Sequence, residues 1–159
     1  MCIRDSIGTE ANIRSGVYTR YIKSLDDEAK VFEKACPLFV PLVEEGFAKH
    51  KITEEVIDIY LSDMRKSEID TLILGCTHYP LLLDKIRQFT PEPIRIISQG
   101  EYVARSLRDY LNRHPEMDAR CDKGGNCRFL TTESENKFEE SASIFLGRQD
   151  IKVKSIALE

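Results

Sequence analysis

Apolar and polar positions along the chain fall into blocks of two kinds. Short runs of branched apolar residues suit buried strands, and stripes with a spacing of three to four suit amphipathic helices. Ile7-Gly8-Thr9 reads as the end of a strand whose beginning is absent, and Ser15 to Ser24, with Val17, Tyr18, Tyr21 and Ile22, as a short helix. Val31 to Leu38 reads as a strand leading into a turn from Phe39 to Glu45. Thr53 is a candidate cap for a helix to about Lys66, with Glu54 and Glu55 in its first turn and Val56, Ile57, Tyr60, Leu61 and Met64 on one stripe. That helix returns to the run Thr71 to Leu74, short and branched enough for an interior strand of a parallel sheet, which completes a βαβ unit.

The second half continues the alternation. Leu82, Leu83, Ile86 and Phe89 form the core face of a helix with Pro80 in its first turn. Ile94 to Ile97 reads as a strand. Ser98-Gln99-Gly100-Glu101 has the pattern of a capping box, opening a helix with Val103, Ala104, Leu107 and Leu111 on one face. Phe129 to Thr132 reads as a strand, Thr132-Glu133-Ser134-Glu135 as a second capping box before a helix ending near Gly147, and Ile151 to Leu158 as a closing strand. The fold class is α/β with a parallel sheet.

The segment Asp70-Thr-Leu-Ile-Leu-Gly-Cys-Thr-His-Tyr-Pro80 carries candidate chemistry, because it delivers a cysteine and a histidine where a buried strand turns into a helix. A free thiol has a pKa of about 8.5 and is protonated at neutral pH, but helix N-termini and imidazolium neighbours lower that value. Cys76 beside His78 can therefore serve as a nucleophile or a proton-transfer base, with Thr77 donating to a bound anion. The plainer reading makes Cys76 a small core residue and His78 a satisfied surface residue.

Composition narrows the class. The chain has 159 residues, 42% hydrophobic and 31% charged, enough for a core of ordinary domain size. A formal net charge of −4 gives no electrostatic case for nucleic acid or an acidic membrane. No run approaches the roughly 20 apolar residues of a membrane span. Five irregularly spaced cysteines suggest reduced thiols in the cytoplasm. Cys121 and Cys127, in the polar loop from His114, are six apart, wider than the usual spacing of zinc ligands, and no metal site is expected.

Gly75-Cys76-Thr77-His78-Tyr79-Pro80 resembles the second catalytic motif of glutamate racemase, which interconverts L- and D-glutamate for peptidoglycan synthesis without a cofactor. Ile7-Gly-Thr-Glu-Ala-Asn12, Ala35-Cys-Pro-Leu-Phe-Val-Pro-Leu-Val-Glu-Glu45 and Phe129-Leu-Thr-Thr132 agree with the family in order and spacing. The resemblance implies that Cys76 is one of two cysteines flanking the substrate Cα, the one that removes the proton from the L-enantiomer, and that His78 assists it. It makes Thr77 and Thr9 ligands of the glutamate carboxylate and Glu44 a carboxylate of the same half-site. Asn12 stands where the family usually carries a second threonine, and its amide can still donate. For Thr9 the plainer role is a turn residue, for Glu44 a solvated carboxylate before Gly46, and for Glu101 a helix cap.

Two-base racemisation needs proton carriers on opposite faces of a planar carbanion. The family's early Asp-Ser and Cys-Asn-Thr patterns do not occur in this chain, Cys36 is followed by Pro37 in a different motif, and Cys2 lies outside every matched segment. The expected organisation is thus a non-native start over 1–6, an α/β lobe over 7–97 carrying the second catalytic cysteine, and over 98–159 the returning C-terminal part of a second α/β lobe. Ser98-Gln99 departs from the family's Asp-Ser, while Gly100 and Glu101 remain. Expected partners are glutamate, the N-terminal half of the same protein and a second copy in a homodimer. Two other readings stay open: an aspartate or hydantoin racemase on the same scaffold, against which His78, Tyr79 and Pro80 speak, and a carboxylate-binding module without turnover.

Overall fold

The computed structural model describes residues 3–158. Met1 and Cys2, part of the expected non-native start, lie outside the described residues, as does Glu159. The chain divides into two compact units, Met1–Ser106 and Leu107–Glu159. The division falls within a helix that begins directly after the boundary expected near Ser98.

The first unit contains β1 (Ile3–Gly8), α1 (Glu10–Ser15), α2 (Val17–Leu25), β2 (Lys30–Ala35), α3 (Phe39–Glu44), α4 (Lys51–Leu61), β3 (Thr71–Gly75), α5 (Leu83–Phe89) and β4 (Arg95–Ser98). The helix α6 (Gln99–Arg113) starts in this unit and runs into the next, where α7 (Pro115–Asp118), β5 (Phe129–Thr131), α8 (Glu135–Leu146) and β6 (Val153–Ser155) follow. The expected α/β parallel architecture is present: β2-β1-β3-β4 form a four-stranded sheet with every pairing parallel. In the second unit β5 and β6 pair in parallel, Phe129 opposite Val153.

The strand order explains the layering. β1 connects leftward to β2, whereas β2 to β3 and β3 to β4 run rightward. Right-handed crossovers then place α1 and α2 on one face and α3, α4 and α5 on the other. Packing of α4 on α5 fits that arrangement. Ile7, Leu72 and Leu74 from the sheet and Phe39, Val43, Ile57, Leu61, Leu82 and Ile86 from the helices are at most 1% exposed and form the core.

Several boundaries differ from the sequence reading. β1 begins at Ile3, so residues 3–6 supply the strand that Ile7 was expected to end without. Phe39 to Glu44 is a helix and not a turn. Pro41 falls in its first turn, where a missing N–H costs nothing, and Phe39 and Val43, four apart, are both fully buried. The cap of α4 is His50, whose Nδ1 accepts from the Ile52 N–H at 3.2 Å. Thr53 lies inside the helix, fully buried, and its hydroxyl donates to the Phe47 carbonyl at 2.7 Å. α4 stops at Leu61, and a 3-10 turn over Met64–Lys66 covers the rest.

Neither capping box forms as expected. The Glu101 carboxylate accepts from Arg105 at 3.0 Å, and the α6 positions Val103 and Leu107 are exposed. Ser134 occupies the N-cap position of α8 without a side-chain cap bond, while Glu135 accepts from the Ser155 N–H at 2.6 Å, tying the helix to the end of β6. That last strand is confined to Val153–Ser155.

Candidate active site

In a parallel sheet every strand ends on the same edge, and a crevice opens there between neighbours whose connections depart in opposite directions. Here that point lies between β1 and β3, whose terminal residues Gly8 and Gly75 are register partners. The segments that follow them are Thr9 to Asn12 and Cys76 to His78. Sequence positions far apart are thus brought to one crevice by strand order alone.

Gly75 is required by space. A Cβ there would lie 2.9 Å from the Ile7 carbonyl oxygen and 3.1 Å from the Tyr18 ring. The chain then turns through Cys76, Thr77 and His78 into a 3-10 helix over Tyr79–Leu82, with Pro80 near its start, before α5. Leu82 and Ile86 are buried as expected, with Leu83 and Phe89 half-buried. Cys76 is half-buried, with its Sγ 3.8 Å from His78 Nδ1, and Thr77 Oγ1 lies 3.5 Å from the same nitrogen. His78 Nε2 is 3.3 Å from Glu44 Oε1. Glu44 is the last residue of α3, so the helix that replaces the expected turn delivers this carboxylate to the imidazole. The result is a continuous line of carboxylate, imidazole and thiol. An imidazole so placed can take a proton from the thiol on one nitrogen while the carboxylate orients the other.

Thr9 and Asn12 serve α1. Thr9 is its N-cap, the hydroxyl oxygen accepting from the Asn12 N–H at 3.3 Å. The Asn12 side-chain amide donates to the Gly75 carbonyl at 2.5 Å, across the crevice. The plainer reading of Thr9 as a local structural residue is therefore true as far as it goes, and its hydroxyl proton is still available to an anion.

Cys36 follows β2 on the same edge but turns inward. It is fully buried, its Sγ donates to the Lys34 carbonyl at 3.9 Å, and burial pushes its thiol up to about 12. It stays a neutral core thiol near pH 7. The Tyr79 hydroxyl donates to the Cys36 carbonyl at 3.0 Å, and its buried ring packs edge-on against Phe39 at 5.1 Å, locking the Cys76 turn to the start of α3. Burial raises the Tyr79 phenol well above the usual tyrosine range, which keeps it a donor.

On the β4 side, Leu74, Cys76, Thr77, Pro80, Gln99 and Gly100 enclose a pocket of about 260 Å³. The Gln99 amide donates to the Tyr18 hydroxyl. Neither Gln99 nor Tyr18 stood out in the sequence as a site residue. The signal was positional: Ser98 pairs with Leu74 in register, so the residue after β4 must emerge beside Cys76. Cys121 and Cys127 are free and exposed, and among the described residues no group of three or more His, Cys, Asp or Glu is arranged to hold a metal ion.

Comparison with known proteins decides the relationship. Glutamate racemase from Geobacter metallireducens is 37% identical over 153 residues, 96% of this chain and 56% of the relative. That from Chlorobaculum tepidum is 40% identical over 149 residues, 90% of this chain and 52% of the relative. The relatives of this chain are glutamate racemases. Among solved structures, glutamate racemase isoform RacE1 from Bacillus anthracis superposes with a TM-score of 0.85 at 34% identity, covering 98% of this chain and 57% of that one. Glutamate racemase from Francisella tularensis, solved in complex with D-glutamate, gives a TM-score of 0.86 at 28% identity, with coverages of 99% and 58%. The chain thus spans a little over half the length of the glutamate racemases it matches. No family model matches the chain.

Proposed function

We propose that this chain is the part of a glutamate racemase that carries one of its two proton-transfer thiols. The observation that carries the reading is the Glu44–His78–Cys76 line at the crevice between β1 and β3, in a chain whose relatives are glutamate racemases. Cys76 takes the Cα proton of L-glutamate, His78 manages the thiol proton and Glu44 orients His78. Thr9 and Thr77 hold the substrate carboxylate, and Asn12 stands beside them. Leaving the Cα electron pair in conjugation with a carboxylate makes the carbon planar, so a proton returned from the other face inverts it. No pyridoxal phosphate or metal takes part, and the D-glutamate formed serves peptidoglycan synthesis in the cytoplasm. Among the described residues no helix is long and apolar enough to cross a membrane.

The opposing proton carrier is the missing partner of this scheme. Cys36 cannot be it, being buried and neutral. The chain by itself is expected to leave L-glutamate unracemised. The deciding experiment assays the full product of the gene encoding this chain by chiral chromatography, with aspartate as the competing substrate. Racemisation of glutamate, abolished by Cys76→Ser, is the expected result. Preference for aspartate would overturn the substrate assignment, and full activity in Cys76→Ser would overturn the role of the thiol.

A further inference from the structure

Asn12 occupies a place where the resemblance implies a ligand of the substrate carboxylate, yet one donor of its amide is committed to the protein. Its Nδ2 donates at 2.5 Å to the Gly75 carbonyl, 63 positions along the chain and on the opposite wall of the crevice. That carbonyl belongs to the peptide linking Gly75 to Cys76, so it sets where the Cys76 Cα begins. The other sides of Gly75 are already confined. The Ile7 carbonyl and the Tyr18 ring leave no room for even a methyl group, and β1 pairs with it in register. The Asn12 amide holds the carbonyl itself. Asn12 itself is held by its backbone, whose N–H is capped by Thr9 at 3.3 Å in the first turn of α1.

We infer that Asn12 is a positioning residue that acts on Cys76 through the Gly75 carbonyl. Threonine at this position is shorter by one branch atom and cannot offer the same two-donor amide, so the side chain type agrees with a brace across the crevice. The thiol sits 3.8 Å from His78 Nδ1, at the limit of a sulfur hydrogen bond. A shift of the Gly75–Cys76 peptide by a fraction of an ångström therefore makes or breaks that contact, and misplacement by about 1 Å can cost about a hundredfold in rate at a reacting group. The inference rests on Cys76 being a reacting group, the reading proposed above.

The test needs no glutamate, which separates it from the assignment of substrate. Cys76 alkylation by iodoacetamide is followed by peptide mass mapping, with Cys121 as the exposed reference thiol and Cys36 as the buried one. Asn12→Asp keeps the shape but replaces the donor with a group that repels the carbonyl. The expected result is Cys76 alkylation slowed by about tenfold relative to Cys121, with Cys36 still protected. Unchanged Cys76 reactivity with Cys36 protected would overturn the inference, because a substrate ligand matters only when substrate is present. Should the Asn12→Asp substitution expose Cys36, the unmodified chain decides: a scalar coupling in its NMR spectrum between Asn12 Nδ2 and the Gly75 carbonyl carbon is expected, and its absence refutes the brace. A failure of the racemase assay with this coupling present would remove the substrate and leave the brace standing.

Discussion

Replacing Asp5 by asparagine is expected to stabilise the protein at neutral pH and to remove part of its pH dependence. Asp5 lies in the middle of β1, an interior strand, and is only 4% exposed. One carboxylate oxygen, Oδ1, is buried without a hydrogen-bond partner. Burial raises its pKa from 3.8 to about 6; the Ser6 backbone N–H and Lys34 oppose the rise, and Glu33 adds to it. Lys34 cannot compensate fully because its ammonium is paired with Asp63 at 2.9 Å. A folded-state pKa above the unfolded value means that the native state binds the proton more tightly, so stability falls as pH rises between about 4 and 6. A rise of this size corresponds to a penalty of about 3 kcal/mol, absent below the unfolded pKa and fully present above the folded one. Urea unfolding followed by far-UV circular dichroism at pH 4 and pH 7.5 tests this. Asp5→Asn should gain about 2–3 kcal/mol over the parent at pH 7.5 and less than about 1 kcal/mol at pH 4. A difference between the two proteins that does not change with pH, or that shrinks as pH rises, would show that Asp5 is not held ionised against its burial.

Two further predictions concern the site and the surface. Gly75→Ala should destabilise the first unit by about 1–3 kcal/mol and slow Cys76 alkylation, since one of the two atoms crowding the new methyl is the Ile7 carbonyl oxygen, which β1 holds in place; a fully stable variant with normal Cys76 reactivity would contradict the packing argument. Val17, Tyr21 and Leu25 lie four apart on α2 at 45%, 67% and 73% exposure, so the chain should self-associate, and Tyr21→Lys with Leu25→Glu should shift sedimentation toward monomer; a monomeric parent at tens of micromolar would contradict it.

Strong periodic segments were legible in the sequence because their burial is local information. The run Thr71 to Leu74 is an interior strand, and Leu82 and Ile86 point to the core, as their spacing predicts. Caps were misread for a consistent reason. Thr53, Glu101 and Glu135 each have the right residue type at a helix start, but another partner claims the polar group: the Phe47 carbonyl, Arg105 and the Ser155 N–H. Propensity cannot weigh a partner that arrives from elsewhere in the chain. The Asn12 amide, on α1, likewise meets a partner from β3, the Gly75 carbonyl. The expected Phe39-to-Glu45 turn is a helix instead, since proline is at home in a first helical turn and Phe39 and Val43 can bury.

The two cysteines of the sheet edge show what a motif adds beyond residue type. Cys36 and Cys76 each follow a strand of the same parallel sheet, on the edge where such sheets place ligands. Position alone would rank them equally. Cys36 follows Ala35 and precedes Pro37, and its thiol turns into the core, where loss of solvent disfavours the thiolate strongly. Cys76 follows a glycine confined by Ile7 and Tyr18 and precedes a turn whose histidine is reached by Glu44 from α3. Its neighbours can accept and return a proton, whereas those of Cys36 offer only a carbonyl. The difference in chemistry is thus made by Gly75, His78 and the α3 helix, and a search for cysteines at strand ends finds the site only when it asks what stands on either side of them.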